Sequence, residues 1–401
     1  MKESPPGRLF FVQDFSMRFL FTSIRGQGHT RPLLPFARGL SGRGHEVRVA
    51  SPEDTRPMTD KAGLTLAPFD RMRDEEIQAQ WTGRQHLEPD EMARVGIQEM
   101  FANKTARAAI PKLTDTLVGW RPDVVIRDSA EFAAFVLCEK LGIPHARVGV
   151  HNCVVEASIL HLAEEPVDAL LSDLGAARQK GSGLWSEPAF SMFPAGFDGE
   201  AEHGADNPPM RVKVAGSTDA PETDWKRQTD LPLVYMSFGT VAGGDLFGFH
   251  EVYEMAVQAA AGLEAEVLLT TGPNIDPASL GTPPDNMVIR SFVPQAAVLK
   301  EASAVMHHCG SGTLLGAFEA GVPMVVVPLF ADQPWNAERV EAAGLGLAVT
   351  DRSAEAMRDA LRAVLGDNRM AERNRRIAEE MASLPGLDAA LDAMEKLARP
   401  A

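Results

Sequence analysis

Short apolar runs recur along this chain in two blocks, each run closed by a turn of glycine or small polar residues and followed by residues at helical spacing. The first block opens with Arg18 to Ser23 and the turn Arg25-Gly26-Gln27-Gly28-His29, continues through a helical stretch from Pro32 to Gly42, and reaches a second run at Glu46 to Ala50. Residues 70–117 are polar with helical spacing, and further runs follow at Asp123 to Asp128 and Pro144 to Val150. Strand, turn, helix and strand in that order build a parallel sheet, because parallel neighbours need a crossover. The pattern loosens after residue 151, with scattered Trp185, Phe190 and Phe193, and a last strand is expected over Met210 to Ala215. Clusters of Gly, Pro, Asp and Glu mark 216–230 as a linker. The alternation then restarts at Leu233 to Ser237 and runs through Glu266 to Thr270, Met287 to Arg290, Ala304 to His307 and Met324 to Val327, before a charged helical region from about residue 353.

At 401 residues the chain is long for one domain. The expected architecture is α/β, two Rossmann-like domains facing a central cleft. Residues 1–16 read as a leader or disordered arm, 17–215 as the first domain, 231–383 as the second, and 384–401 as a last helix. The formal net charge of -16 argues against a nucleic-acid partner, which would need a basic footprint. An anionic ligand would therefore be held by local N–H groups and a few side chains. Three cysteines without paired spacing read as reduced thiols in a cytoplasmic protein. The longest apolar run, about Val322 to Ala331, is shorter than the roughly 20 residues a membrane span needs, and the start lacks a signal-peptide pattern.

One segment carries more chemistry than the rest. Met306-His307-His308-Cys309-Gly310-Ser311-Gly312-Thr313 reads as a strand end, a glycine turn bearing a histidine, and a helix start. Glu319 to Met324 leads into the next strand, after which Asp332-Gln333 supplies an acid–amide pair. Free N–H groups and the helix dipole make such a turn a seat for a diphosphate. A histidine in it can add a hydrogen bond or a charge.

This segment resembles the donor-binding signature of nucleotide-sugar glycosyltransferases of the glycosyltransferase B (GT-B) fold, the family that includes plant natural-product glucosyltransferases and bacterial antibiotic glycosyltransferases. Further pieces stand in family order. Ser237-Phe238-Gly239-Thr240 resembles the phosphate loop after the first strand of the donor domain, and Phe292-Val293-Pro294-Gln295 the nucleobase loop. The resemblance implies that His308, Gly310, Ser311, Gly312, Thr313, Ser237, Gly239 and Thr240 hold the diphosphate. It also implies that Phe292, Val293 and Gln295 meet the base, that Asp332 and Gln333 bind sugar hydroxyls, and that the last helix folds back over the first domain. Core packing is the alternative for Phe292. His307 is read as packing or bonding within its strand, and Cys309 as packing.

Gly28-His29-Thr30-Arg31-Pro32 matches the family's Gly-His-x-x-Pro turn, which implies that His29 is the general base and that Asp128 holds its other ring nitrogen. An imidazole suits the task, since its ordinary pKa lies near working pH. A His29 that caps a helix or stands in solvent is the alternative, as is an Asp128 that caps the helix after Ser129. Glu131 is the competing carboxylate. The expected reaction is an inverting transfer: His29 takes the proton of an acceptor hydroxyl, that oxygen attacks the anomeric carbon, and the diphosphate leaves. No resident cofactor and no metal ion are expected.

Family members that use uridine diphosphate sugars commonly carry a Glu on the ribose hydroxyls eight residues after the donor His. Gly316 stands there, and Glu319 does not align. A deoxyribose lacks one of those hydroxyls, so dTDP-linked deoxysugars are the expected donors, with UDP-sugars as the alternative. The acceptor is expected to be an apolar natural-product aglycone against the loosely patterned segments, with Trp81, His86, Met100, Phe101, His151, Trp185 and Phe190 as candidate lining. A homodimer is one assembly open to the chain. The rival readings are a nucleotide-sugar epimerase of the same fold, a dinucleotide oxidoreductase, and a non-catalytic nucleotide-sugar-binding helper. Gly26-x-Gly28 lacks the third glycine and the later acid of the dinucleotide fingerprint.

Overall fold

A computed structural model of the chain describes residues 16–84, 87–176, 183–198, 207–214, 225–239 and 249–398. They form two α/β units, each around a parallel sheet. In the first, β1 (Arg18–Thr22), β2 (Glu46–Pro52), β3 (Thr65–Phe69), β4 (Val124–Asp128), β5 (His145–Gly149), β6 (Ala189–Ser191) and β7 (Met210–Arg211) lie in the order β3-β2-β1-β4-β5-β6-β7. In the second, β8 (Leu233–Ser237), β9 (Glu266–Thr270), β10 (Met287–Arg290), β11 (Ala304–His307), β12 (Met324–Val326) and β13 (Gly346–Ala348) lie in the order β10-β9-β8-β11-β12-β13. Strands covered on both faces read as near-continuous apolar runs, and β4 and β9 are buried at every position. Alternation still sorts the faces. Phe19 and Phe21 pack with Phe36, Leu40, Val124 and Ile126, whereas Leu20 packs with Val125, Phe132 and Ile159 on the other side.

The helix after β4, Phe132–Leu141, is capped by Glu131, whose carboxylate accepts from Ala133 and Ala134 N–H, and ends at Gly142 in the left-handed region. Asp128 is therefore not its cap. The long helix Cys153–Asp173 is capped by Asn152. Before β4, residues Val95–Thr105 wind as a π-helix, placed against Cys153–Asp173. The helix expected from Pro32 starts sooner, with a turn at Gln27–Thr30 and a 3-10 turn at Arg31–Leu33 leading into Leu34–Gly42.

The expected strand Met210 to Ala215 is described as two residues, Met210 and Arg211, and its residue 215 and residues 216–224 of the expected linker lie outside the described residues. Trp225, also placed in the linker by sequence, is 8% exposed and packs into the core of the second unit. Helix Leu387–Leu397 packs on Leu34–Gly42 of the first unit, burying Ala390, Leu391 and Met394 among Leu33, Phe36 and Leu40. Arg43 reaches the same helix at Asp388, Asp392 and Glu395. Among the described residues no helix is long and apolar enough to cross a membrane.

Candidate active site

In each sheet the strand order reverses direction once, between β1 and β4 in the first and between β8 and β11 in the second. Loops leaving the carboxyl ends of two such strands diverge and open a crevice, which is where open α/β sheets bind ligands. The expected base pair lies at the first of these points and the expected diphosphate turn at the second.

At the first, β1 leads through Gly26, whose φ of 119° suits glycine, into the short helix carrying His29. Asp128 ends the neighbouring strand β4. His29 Nδ1 and Asp128 Oδ1 are 3.2 Å apart, with the Asp128 side chain fully buried and His29 20% exposed. The same carboxylate accepts from Ile24 N at 2.8 Å and Ala130 N at 2.7 Å, so its position is fixed from three sides. Glu131, the competing carboxylate, accepts from Thr22 Oγ1 at 2.8 Å as well as capping its helix, and burial pushes its pKa up to about 7.

The rings of Phe101 and His151 stand 6.2 and 5.8 Å from the His29 ring. Phe101 comes from the π-helical stretch and His151 from the loop after β5. His151 Nδ1 lies 3.3 Å from Glu156 Oε1, and Arg147 Nε lies 3.3 Å from Glu156 Oε2. Burial disfavours the charged His151, but the Glu156 hydrogen bond and the charges of Asp332 and Asp128 more than offset it and raise its pKa.

Other acceptor candidates fall elsewhere. Phe190, at the middle of β6, points into the core beside Phe36, with ring centroids 6.4 Å apart, because strand alternation puts it on the helix-covered face. Trp185 donates its Nε1 to Glu164 at 2.5 Å and lines a small cavity with Arg147, Glu156, Leu160, Phe190 and Asn207. Met100 is buried, and Trp81 is half-buried with its ring against Gly96. His86 and Thr240 lie outside the described residues.

At the second point, β8 delivers Ser237 and Gly239, and β11 delivers His308 and the turn to helix Ser311–Ala320. The His308 ring is slotted between two glycines. A Cβ at Gly239 would come within 2.8 Å of it, and one at Gly310 within 2.5 Å of Nε2. Burial lowers its pKa to about 4 despite Asp332 and a hydrogen bond to the Ser237 backbone, so the ring is neutral, and its Nδ1 is buried with no hydrogen-bond partner among the described residues. Helix Ser311–Ala320 begins at Gly310 with no side-chain cap, unlike the helices capped by Glu131, Asn152, Ser353 and Asp367. Its first N–H groups are left for an anion.

His307 is fully buried and its Nδ1 accepts from Cys309 N at 3.1 Å. Cys309 is buried and adopts φ 67°, a left-handed conformation the sequence did not disclose. Asp332 Oδ2 accepts from Asn336 Nδ2 at 2.8 Å and Ser311 Oγ at 3.3 Å. Gln333 is 3% exposed, and its Oε1 accepts from Leu329 and Phe330 N–H, so its carbonyl holds its own loop and only its amide nitrogen remains for a ligand. Phe292 is 66% exposed, which excludes core packing, while Val293 turns its side chain into the core and keeps only its backbone available. Gln295 is half-buried at the start of helix Gln295–Leu299.

Sequence reasoning missed Arg127, Glu187 and Asn336. Arg127, an arginine inside an otherwise apolar strand, is fully buried and forms a bidentate pair with Glu187. The mid-strand charge was the available signal, although its partner 60 positions away was not.

Comparisons with known proteins agree with this geometry. Residues 254–397 match the family described as erythromycin biosynthesis protein CIII-like, C-terminal domain, and residues 38–173 match the N-terminal domain of the same description. The chain is 29% identical to the L-demethylnoviosyl transferase of Streptomyces niveus over 92% of this chain and 95% of that protein. The spinosyn rhamnosyltransferase SpnG shares the fold with a TM-score of 0.78 at 22% identity, over 95% of this chain and 100% of that one. Glycosyltransferase VinC, solved in complex with dTDP, shares it with a TM-score of 0.74 at 24% identity, over 95% and 99%. With both halves matched and each carrying its crevice at the point where strand order reverses, the chain belongs to the bacterial natural-product glycosyltransferases and has their GT-B fold.

Proposed function

We propose that this enzyme moves a deoxysugar from a dTDP-linked donor to a hydroxyl of an apolar aglycone with inversion at the anomeric carbon. The observation that carries the reading is the His29–Asp128 pair at the mouth of the first sheet, flanked by Phe101 and His151. His29 Nδ1 donates to Asp128, which leaves Nε2 as the acceptor for the aglycone proton. The imidazolium formed is stabilised by the buried carboxylate. The oxygen attacks as the sugar–phosphate bond breaks. The leaving diphosphate gathers its charge at the uncapped helix start and against His308, without a metal ion.

Support for a deoxyribose donor comes from position 316, where a glycine offers no carboxylate to ribose hydroxyls. A Cβ there would stand 3.0 Å from Leu299 Cδ1, so even a small side chain would need Leu299 to give by a few tenths of an ångström. A neighbour of the same fold solved with dTDP is in keeping with this. Three buried free thiols suit action in the cytoplasm.

Calorimetry of dTDP and UDP on the purified protein without metal tests the donor. We expect dTDP to bind more tightly. Equal or tighter UDP binding would remove the Gly316 argument and leave a UDP-sugar transferase. Binding of neither would remove the donor site. Retention of configuration in the product, or activity abolished by a chelator, would overturn the mechanism.

Gly310→Ala tests the diphosphate seat. Gly310 sits at φ -72° and ψ 144°, which alanine adopts freely, so the new methyl acts only by displacing His308. We expect dTDP affinity to fall by about tenfold or more, near 1.4 kcal/mol, with little change in melting temperature.

A further inference from the structure

The two halves of the site are tied together by a pair of buried amides. Asn336 lies on helix Gln333–Ala342 of the second unit and is fully buried. Its Nδ2 donates to Cys309 O at 2.9 Å and to Asp332 Oδ2 at 2.8 Å, and its Oδ1 accepts from Asn152 Nδ2 at 2.6 Å. Asn152, in the first unit and also fully buried, gives its own Oδ1 to Val154 and Val155 N–H as the helix cap. The partners fix both amide orientations. Asn152 Oδ1 faces two donors, so its NH2 must face Asn336, and the Asn336 NH2 faces two acceptors. The same helix touches the first unit twice more, through Trp335 Nε1 to Asp90 Oδ1 at 3.3 Å and Arg339 Nη2 to Phe197 O at 2.6 Å.

We infer that Asn336 and Asn152 are positioning residues for sugar transfer. Asn336 binds the left-handed Cys309 of the diphosphate turn and the Asp332 carboxylate. Asn152 follows His151, the ring beside His29. One hydrogen bond between them therefore sets the register of the donor loops against the acceptor wall. In-line transfer tolerates errors of only about 1 Å. An amide pair that is fully buried with every amide nitrogen and oxygen engaged has one geometry to offer, whereas a surface contact would let the domains slide. Neither residue touches the reacting atoms. The inference rests on the reading above, in which Asp332 faces the sugar and His29 the acceptor.

The test compares the parent with Asn152→Ser. Serine caps a helix about as well as asparagine but is too short to reach Asn336. The three native thiols are buried, so spin labels can be placed on Asp60→Cys and Glu355→Cys, one exposed helical site on each unit. Pulsed dipolar spectroscopy then reads the inter-domain distance, without ligand and with saturating dTDP. We expect Asn152→Ser to lengthen the mean distance by more than about 2 Å or to split it into two populations, whatever the change in melting temperature. Asn336→Ala should do the same from the other side of the bond. An unchanged distribution for Asn152→Ser in both states, with or without a lower melting temperature, would overturn the inference and leave Asn152 as a helix cap alone. Failure of the parent to bind dTDP would count against the donor reading, while the ligand-free comparison would still decide the role of the pair.

Discussion

Replacing His29 with alanine is expected to slow sugar transfer by about 10²- to 10⁴-fold, with dTDP affinity and melting temperature close to the parent. His29 is partly exposed and, among the described residues, its side-chain hydrogen bond is to Asp128, so removing it costs the fold little. Initial rates with whichever donor and acceptor the parent turns over provide the check, and transfer by His29→Ala at a rate near the parent would overturn the assignment of His29 as the general base. Asp128→Asn should lose a similar factor for a different mix of reasons. Its carboxylate accepts from Ile24 N and Ala130 N as well as from His29. An amide has one oxygen, so one buried N–H or the ring nitrogen loses its partner at about 1–3 kcal/mol. Asp128→Asn should therefore melt earlier than His29→Ala at equal loss of rate.

Arg127→Leu is expected to destabilise the protein by about 3–5 kcal/mol, read by chemical denaturation at neutral pH, because it removes the bidentate partner of the buried Glu187 and leaves the more distant His145 Nε2, 3.7 Å away. Both side chains of the pair are fully buried, with Arg127 Nε 2.9 Å from Glu187 Oε1. Arg127 Nη1 also donates to the carbonyls of Asp128 and Ser129, at 3.0 and 3.2 Å. The same substitution should therefore loosen the loop that carries Asp128 and slow transfer. Burial alone would raise the pKa of Glu187, but the Arg127 charge wins and lowers it. A carboxyl held below its unfolded value adds stability that is complete above that value, about 4.3, and is lost as pH falls through the folded one. The gap between parent and Arg127→Leu should thus be widest near neutrality and narrow in acid. A gap that widens in acid would contradict the assignment.

The sequence disclosed most strands because parallel strands buried on both faces leave uninterrupted apolar runs. Leu233–Ser237, Glu266–Thr270 and Ala304–His307 coincide with their sequence runs. Three strands were missed for local reasons. Thr65–Phe69 contains a proline at a sheet edge, and Ala189–Ser191 and Gly346–Ala348 are only three residues long. His29 with Asp128, and His308 with Gly310, were legible because a glycine turn beside a histidine has few bland explanations. The acceptor lining was not. An aromatic residue reads the same whether it faces a cavity or a core, so Phe101 and Phe190 looked alike and ended on opposite sides of a sheet. Asn152 and Asn336 were invisible for a related reason, since a buried amide is defined by partners 184 positions away and not by its neighbours.

Helix Leu387–Leu397 lies on the first unit although it follows the second in the chain, and Arg43 meets Asp392 across 349 positions. During synthesis, at roughly 5–20 residues per second, the apolar face formed by Leu33, Phe36 and Leu40 would stay wet for roughly 20–70 seconds before its cover emerges. The first unit is thus the first to leave the ribosome and among the last to be sealed.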